Sequence, residues 1–161
     1  MIRCRKILML LLISAVSVTG SVIADFNKGG LDGDLRAFPE QENKTAITLA
    51  INELMASNSS CTRDPQGQYD DWIEIHNYGP DAINIAGMYL TDNLSAPAKW
   101  QIPGRNPAAT TIPAGGYLLI WADNDTTDAG LHANFKLDAA GEEIGLFDSD
   151  GVTLIDSIAF G

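Results

Sequence analysis

From residue 47 onward, apolar residues recur at every second position, and clusters of Gly, Pro, Asp and Asn interrupt them roughly every ten residues. A period of two puts apolar side chains on one face of a strand. Nowhere does a capped run with helical spacing extend far enough for a core helix. Ile47, Leu49 and Ile51 alternate with Thr48, Ala50 and Asn52. Ile73 and Ile75 share one face, and Ile83 and Ile85 flank Asn84. Met88 to Thr91 and Lys99 to Ile102 are extended runs, the second closed by Pro103, which cannot donate to a ladder. Ile112 to Gly116 is a turn signal. Tyr117 to Ala122 is apolar on both faces, which predicts a central strand covered on both sides. A short strand is expected over Asn134–Leu137. Glu143–Phe147 and Val152–Phe160 form a hairpin around Asp148-Ser149-Asp150-Gly151, where Asp-Gly supplies the positive φ of a tight turn. Eight or nine short strands at this spacing predict an all-β antiparallel sandwich.

The N-terminal segment has a different logic. Arg3, Arg5 and Lys6 precede an apolar run from Ile7 to Val18, and small or β-branched residues lead to Ala24. This is the secretory pattern, with an apolar core short of the ~20 residues of a bilayer span. Residues 1–24 are read as a signal peptide, with an uncleaved N-terminal anchor as the rival reading, 25–46 as a flexible linker, and 47–161 as one domain. The expected location is secreted or extracytoplasmic, at the cell surface. Removing residues 1–24 leaves seven basic against 21 acidic residues, a net charge of about −14. That charge excludes nucleic acid and anionic lipid as partners, so no membrane contact is expected beyond the signal peptide. Cys61 is the single cysteine after the leader and reads as a loop thiol.

Few residues present chemistry. Asp70, Asp71 and Glu74 resemble paired carboxylates, but Asp71 and Trp72 point to opposite faces of a strand. The expected role of Asp71 is to accept backbone N–H bonds beside a packing tryptophan. His76 and His132 lie far apart without a local ligand pair, so both read as structural. No serine sits in a nucleophile elbow. No catalytic residue and no cofactor-binding residue is expected. The metal candidate is the run Asp123, Asn124, Asp125 and Asp128, whose oxygens suit calcium, although an EF-hand's glycine and final glutamate are absent. Trp72, Trp100, Trp121, Tyr89 and Tyr117 serve either as core packing or as a sugar-stacking platform.

Nine runs in order resemble the lamin tail domain as it occurs in secreted bacterial proteins. They are Ile51–Asn58, Asp71–Asn77, Gly87–Asp92, Lys99-Trp100, Ile112–Tyr117, Trp121–Asp123, Leu131–Leu137, Gly141–Ile144 and Ile155–Ser157. The resemblance implies an immunoglobulin-like antiparallel β-sandwich and a non-catalytic interaction or attachment module. Its implied partner is a protein or a cell-surface polymer. The alternative is a carbohydrate- or calcium-binding accessory domain of an extracellular hydrolase. Members usually continue past the equivalent of Ile158–Gly161, so the chain reads as a short variant or a piece of a longer product.

Overall fold

The period-two runs become strands because each can bury one face. A computed structural model describes residues 47–161 and the backbone of residues 7–8. Apart from Ile7 and Leu8, the signal-peptide and linker readings of 1–24 and 25–46 lie outside the described residues. In chain order the elements are β1 (Ile7–Leu8), β2 (Leu49–Met55), β3 (Trp72–Asn77), β4 (Ile83–Asn84), β5 (Tyr89–Thr91), β6 (Trp100–Gln101), α1 (Pro107–Thr110), β7 (Thr111–Ile112), β8 (Tyr117–Ala122), β9 (His132–Ala133), β10 (Glu142–Phe147) and β11 (Leu154–Phe160). The short α1 starts on Pro107, whose fixed φ suits a first helical turn, and stops at extended Thr111.

The strands form sheets in the orders β1-β2-β3-β8-β9 and β11-β10-β5-β6, with a small β4-β7 ladder. Pairing is antiparallel except for β8 with β9, which is parallel. The layout is an immunoglobulin-like β-sandwich. Leu49, Ile51, Leu54, Ile73, Ile75 and Ile120 meet Leu90, Ile144, Leu146 and Ile158 in one core. Burying aliphatic side chains of this size contributes about 1.5–3 kcal/mol each, so the core is the main source of stability.

Strand β2 shows how strict alternation is broken. Ile51 and Leu54 differ in parity, yet both are buried in the core. The pairing register with β3 shifts between Ile51 and Glu53, and that bulge turns Leu54 inward. The freed Ile51 N–H donates to Asp156 Oδ2 of β11 at 2.8 Å. A carboxylate from one sheet thus covers a β2 backbone donor of the other, beyond the two β2 residues that pair with β1.

Three expectations change in the structure. Asn134–Leu137 is not a strand; its link to the sheet is an isolated bridge between Lys136 and Asp123. Phe135 and Leu137 are buried all the same. A loop that inserts alternate side chains into a sandwich mimics a strand in sequence, and the strand here is β9, just upstream. Strand β8 is covered on both sides only toward its C-terminal end. There Trp121 packs with Trp72 and Met55, flanked by Leu119 and Cys61, whereas Tyr117 is 54% exposed. Cys61 is disulfide-bonded, so the loop-thiol reading does not hold in this chain. The other cysteine in the sequence, Cys4, lies outside the described residues.

The predicted hairpin turn forms as expected. Gly151 takes φ +70° and its N–H donates to Asp148 O at 2.9 Å.

Candidate functional site

The connection from β2 to β3 spans residues 56–71, long for a link between adjacent antiparallel strands. Its own side chains give it shape. Asn58 is buried and donates through Nδ2 to Thr62 O at 2.7 Å and Asp70 O at 2.8 Å. Its Oδ1 accepts from Cys61 N at 3.0 Å, and its N–H donates to Asp71 Oδ1 at 2.7 Å. Asp71 therefore has the structural role expected of it. Farther along, Asp64 closes a tight turn: Gln68 N donates to Asp64 Oδ1 at 2.6 Å and Gly67 N to Asp64 O at 3.0 Å. Arg63 donates to Gly67 O and lies over the Tyr69 ring at 4.2 Å.

This loop lies beside the exit of β8. Ala122 N donates to Asp71 O at 2.7 Å, and Trp121 N to Leu131 O at 2.8 Å. The chain leaves at Asp123 and returns at His132, which pairs with Trp121 in the parallel ladder. His132 Nδ1 lies 2.7 Å from Asp123 Oδ2, and Nε2 lies 3.3 Å from Ala129 O. The side chains of His132 and Asp123 are 1% and 6% exposed. The imidazole also stacks on Trp121 at 6.4 Å and 26°. Gly130, at φ +126°, lets the backbone pass close by; a Cβ there would sit 3.2 Å from His132 Nε2.

Asp64 completes the group. One donor atom each from Asp64, Asp123 and His132 lies within 4.8 Å of the others. Asp64 as a residue is 5% exposed, and its Oδ2 is buried without a hydrogen-bond partner. Asp70 Oδ2 is buried and unpartnered as well. Burial first, and then the negative charges of Asp123 and Asp64, push the Asp70 carboxyl above its ordinary range; His132 and Lys136 oppose this.

Of the four residues proposed for calcium, the structure brings Asp123 alone into this group. Asn124 and Asp125 are exposed, and Asp128 is half-buried. The loop is closed by its own bonds: Asp125 N donates to Asp123 Oδ1 at 3.0 Å and Thr127 Oγ1 to Asp125 Oδ1 at 2.9 Å. Asp64 and His132 were missed because their partners are distant in sequence. Only the β3–β8–β9 register and the fold of the long loop unite them. A hint lay in Asp64-Pro65-Gln66-Gly67, a turn signal that fixes a carboxylate.

The remaining candidates separate. His76 stacks on its cross-strand neighbour Tyr117 at 4.4 Å and 11° and is not part of the Asp64, Asp123 and His132 group. Trp72, Trp100 and Trp121 are buried, so they pack the molecule and cannot form a flat platform. A cleft of about 580 Å³ borders the β8–β9 loop, lined by Pro103, Arg105, Asn106, Thr110, Thr126 and Leu131 among others. Its lining includes no carboxylate and no histidine, the usual groups for acid–base work.

The family model described as Lamin Tail Domain matches residues 42–161. No curated protein matches the chain.

Proposed function

The chain belongs to the lamin tail domain family, and from that premise we propose that it is an exported, non-catalytic module that attaches to a protein or polymer at the cell surface. The family match carries this reading, because it runs across strands β2 to β11. Lamin tail domains are, in general, immunoglobulin-like modules without catalysis. Three physical features support the reading. The cleft lacks acid–base groups. The histidine–carboxylate group is closed to solvent, with His132 and Asp123 side chains only 1% and 6% exposed, which leaves no approach for a substrate. The basic, apolar and small order of residues 1–24 fits export.

The test is co-sedimentation of the purified protein with washed, insoluble envelope material from the organism that encodes it. Saturable retention is expected. Its loss after protease treatment of the envelopes assigns a protein partner, and its loss after glycosidase assigns a polymer. An absence of saturable retention across physiological ionic strength contradicts attachment.

A further inference from the structure

We propose that Asp64, Asp123 and His132 hold one divalent first-row transition-metal ion of the zinc class, clamping the β2–β3 loop to the β8–β9 connection. Three independent features of the group converge on a cation. The first is geometric: donors from three separate segments converge within 4.8 Å. A tetrahedral ion with bonds near 2.0–2.1 Å would set such atoms about 3.3 Å apart, between the 2.7 Å of His132 Nδ1 and Asp123 Oδ2 and the 4.8 Å limit of the group. The second is the unpartnered Asp64 Oδ2, in a residue 95% buried by its 5% exposure. A carboxylate oxygen removed from water without a donor calls for a cation or a proton.

The third feature is the setting of the imidazole. Both ring nitrogens of His132 face oxygen, Asp123 Oδ2 at 2.7 Å and Ala129 O at 3.3 Å. A neutral imidazole carries one N–H, so one nitrogen sets its lone pair against another lone pair. An ion bound to that nitrogen removes the conflict. The imidazole also decides the ion class. Calcium takes oxygen ligands, whereas mixed imidazole and carboxylate sets suit zinc and its neighbours. Asp70 lies outside that trio but carries its own buried and unpartnered Oδ2, which makes it the candidate for a fourth position. The enclosure of His132 and Asp123 fits a structural ion and not a catalytic one with an open position.

The inference is independent of what the module attaches to. Its test uses the full chain, stripped with chelator and titrated with zinc, cobalt and calcium chlorides. Expected are one bound zinc per chain by elemental analysis and calorimetry, and a melting midpoint raised by at least about 5 °C at saturation. The cobalt form should show visible d–d absorption of a nitrogen-ligated site. Asp64→Asn and His132→Gln should lose metal uptake and that absorption, whereas Asp125→Asn keeps both. A wild-type chain that takes up neither zinc nor cobalt, with one midpoint in chelator and in metal, overturns the site and leaves a hydrogen-bonded His132–Asp123 pair in its place. Calcium binding abolished by Asp125→Asn but spared by Asp64→Asn also overturns it and moves the ion to the 123–128 loop.

Discussion

Single side chains hold together what the strands leave open, and Asn77 is the clearest case. It is fully buried at the end of β3. Its Nδ2 faces Asp81 O at 2.7 Å and Ile112 O and Pro113 O at 3.1 Å each. Its Oδ1 accepts from Gly79 N at 3.0 Å and Thr48 Oγ1 at 3.1 Å. A hydrophobic side chain here would leave several buried backbone groups unpaired. Asn77→Ala should therefore cost roughly 2–4 kcal/mol, read from urea unfolding at constant m-value. Asn77→Asp should cost at least as much, because it turns an acceptor onto three carbonyl oxygens. A loss under about 1 kcal/mol in both would remove the hub role. The strand ending at Asn77 is legible in the sequence, but the hub is not. Its partners lie at 48, 79, 81, 112 and 113, which meet only after β2, β3 and the β7–β8 turn are in place.

At the scale of elements, the edge of β2 carries the next expectation. The bulge that turns Leu54 inward exposes the Ile51 N–H, and Asp156 of β11 covers it. Uncovered edge donors invite pairing with other chains, and a charge aimed at the edge discourages it. Asp156→Ala should lower stability by about 1–3 kcal/mol and raise the tendency to self-associate. Denaturation and light scattering measure the two effects; an unchanged midpoint with monodisperse scattering would remove the latch. The β10–β11 hairpin was legible, since Asp148–Gly151 and its flanking alternation are local signals, although its second strand starts at Leu154 and not at Val152. The register shift in β2 was not, because alternation alone cannot show where a strand changes parity. The Asn134–Leu137 segment misled for the opposite reason: alternate burial of Phe135 and Leu137 needs no ladder.

For the whole molecule, charge sets the pH response. Desolvation raises the Asp71 carboxyl above its ordinary value of 3.8, against the lowering effects of Asn58 N–H, Ser57 N–H and Lys136. Desolvation likewise raises Glu142 above 4.5; Asp92 and Asp138 add to this, while the Asp138 N–H and Lys99 oppose it. A raised carboxyl binds its proton more tightly in the folded chain than in the unfolded one. Its contribution is complete below the unfolded value and is lost as pH rises through the folded one. Relief of self-repulsion in a chain of net charge −11 acts in the same direction. In chelator, the melting midpoint should rise as pH falls from 7 toward the range just above those ordinary values. A flat or falling midpoint at fixed ionic strength would contradict this balance.

Fold class and family were readable at this scale because nine ordered runs span the domain. The histidine–carboxylate group was not, because its members come from positions 64, 123 and 132. Export remains the most consequential claim. The most direct test is intact mass and cell fractionation of the product made from the full gene in an exporting host. The account predicts a surface-retained protein beginning at Asp25. A full-length, cytoplasmic product would contradict it.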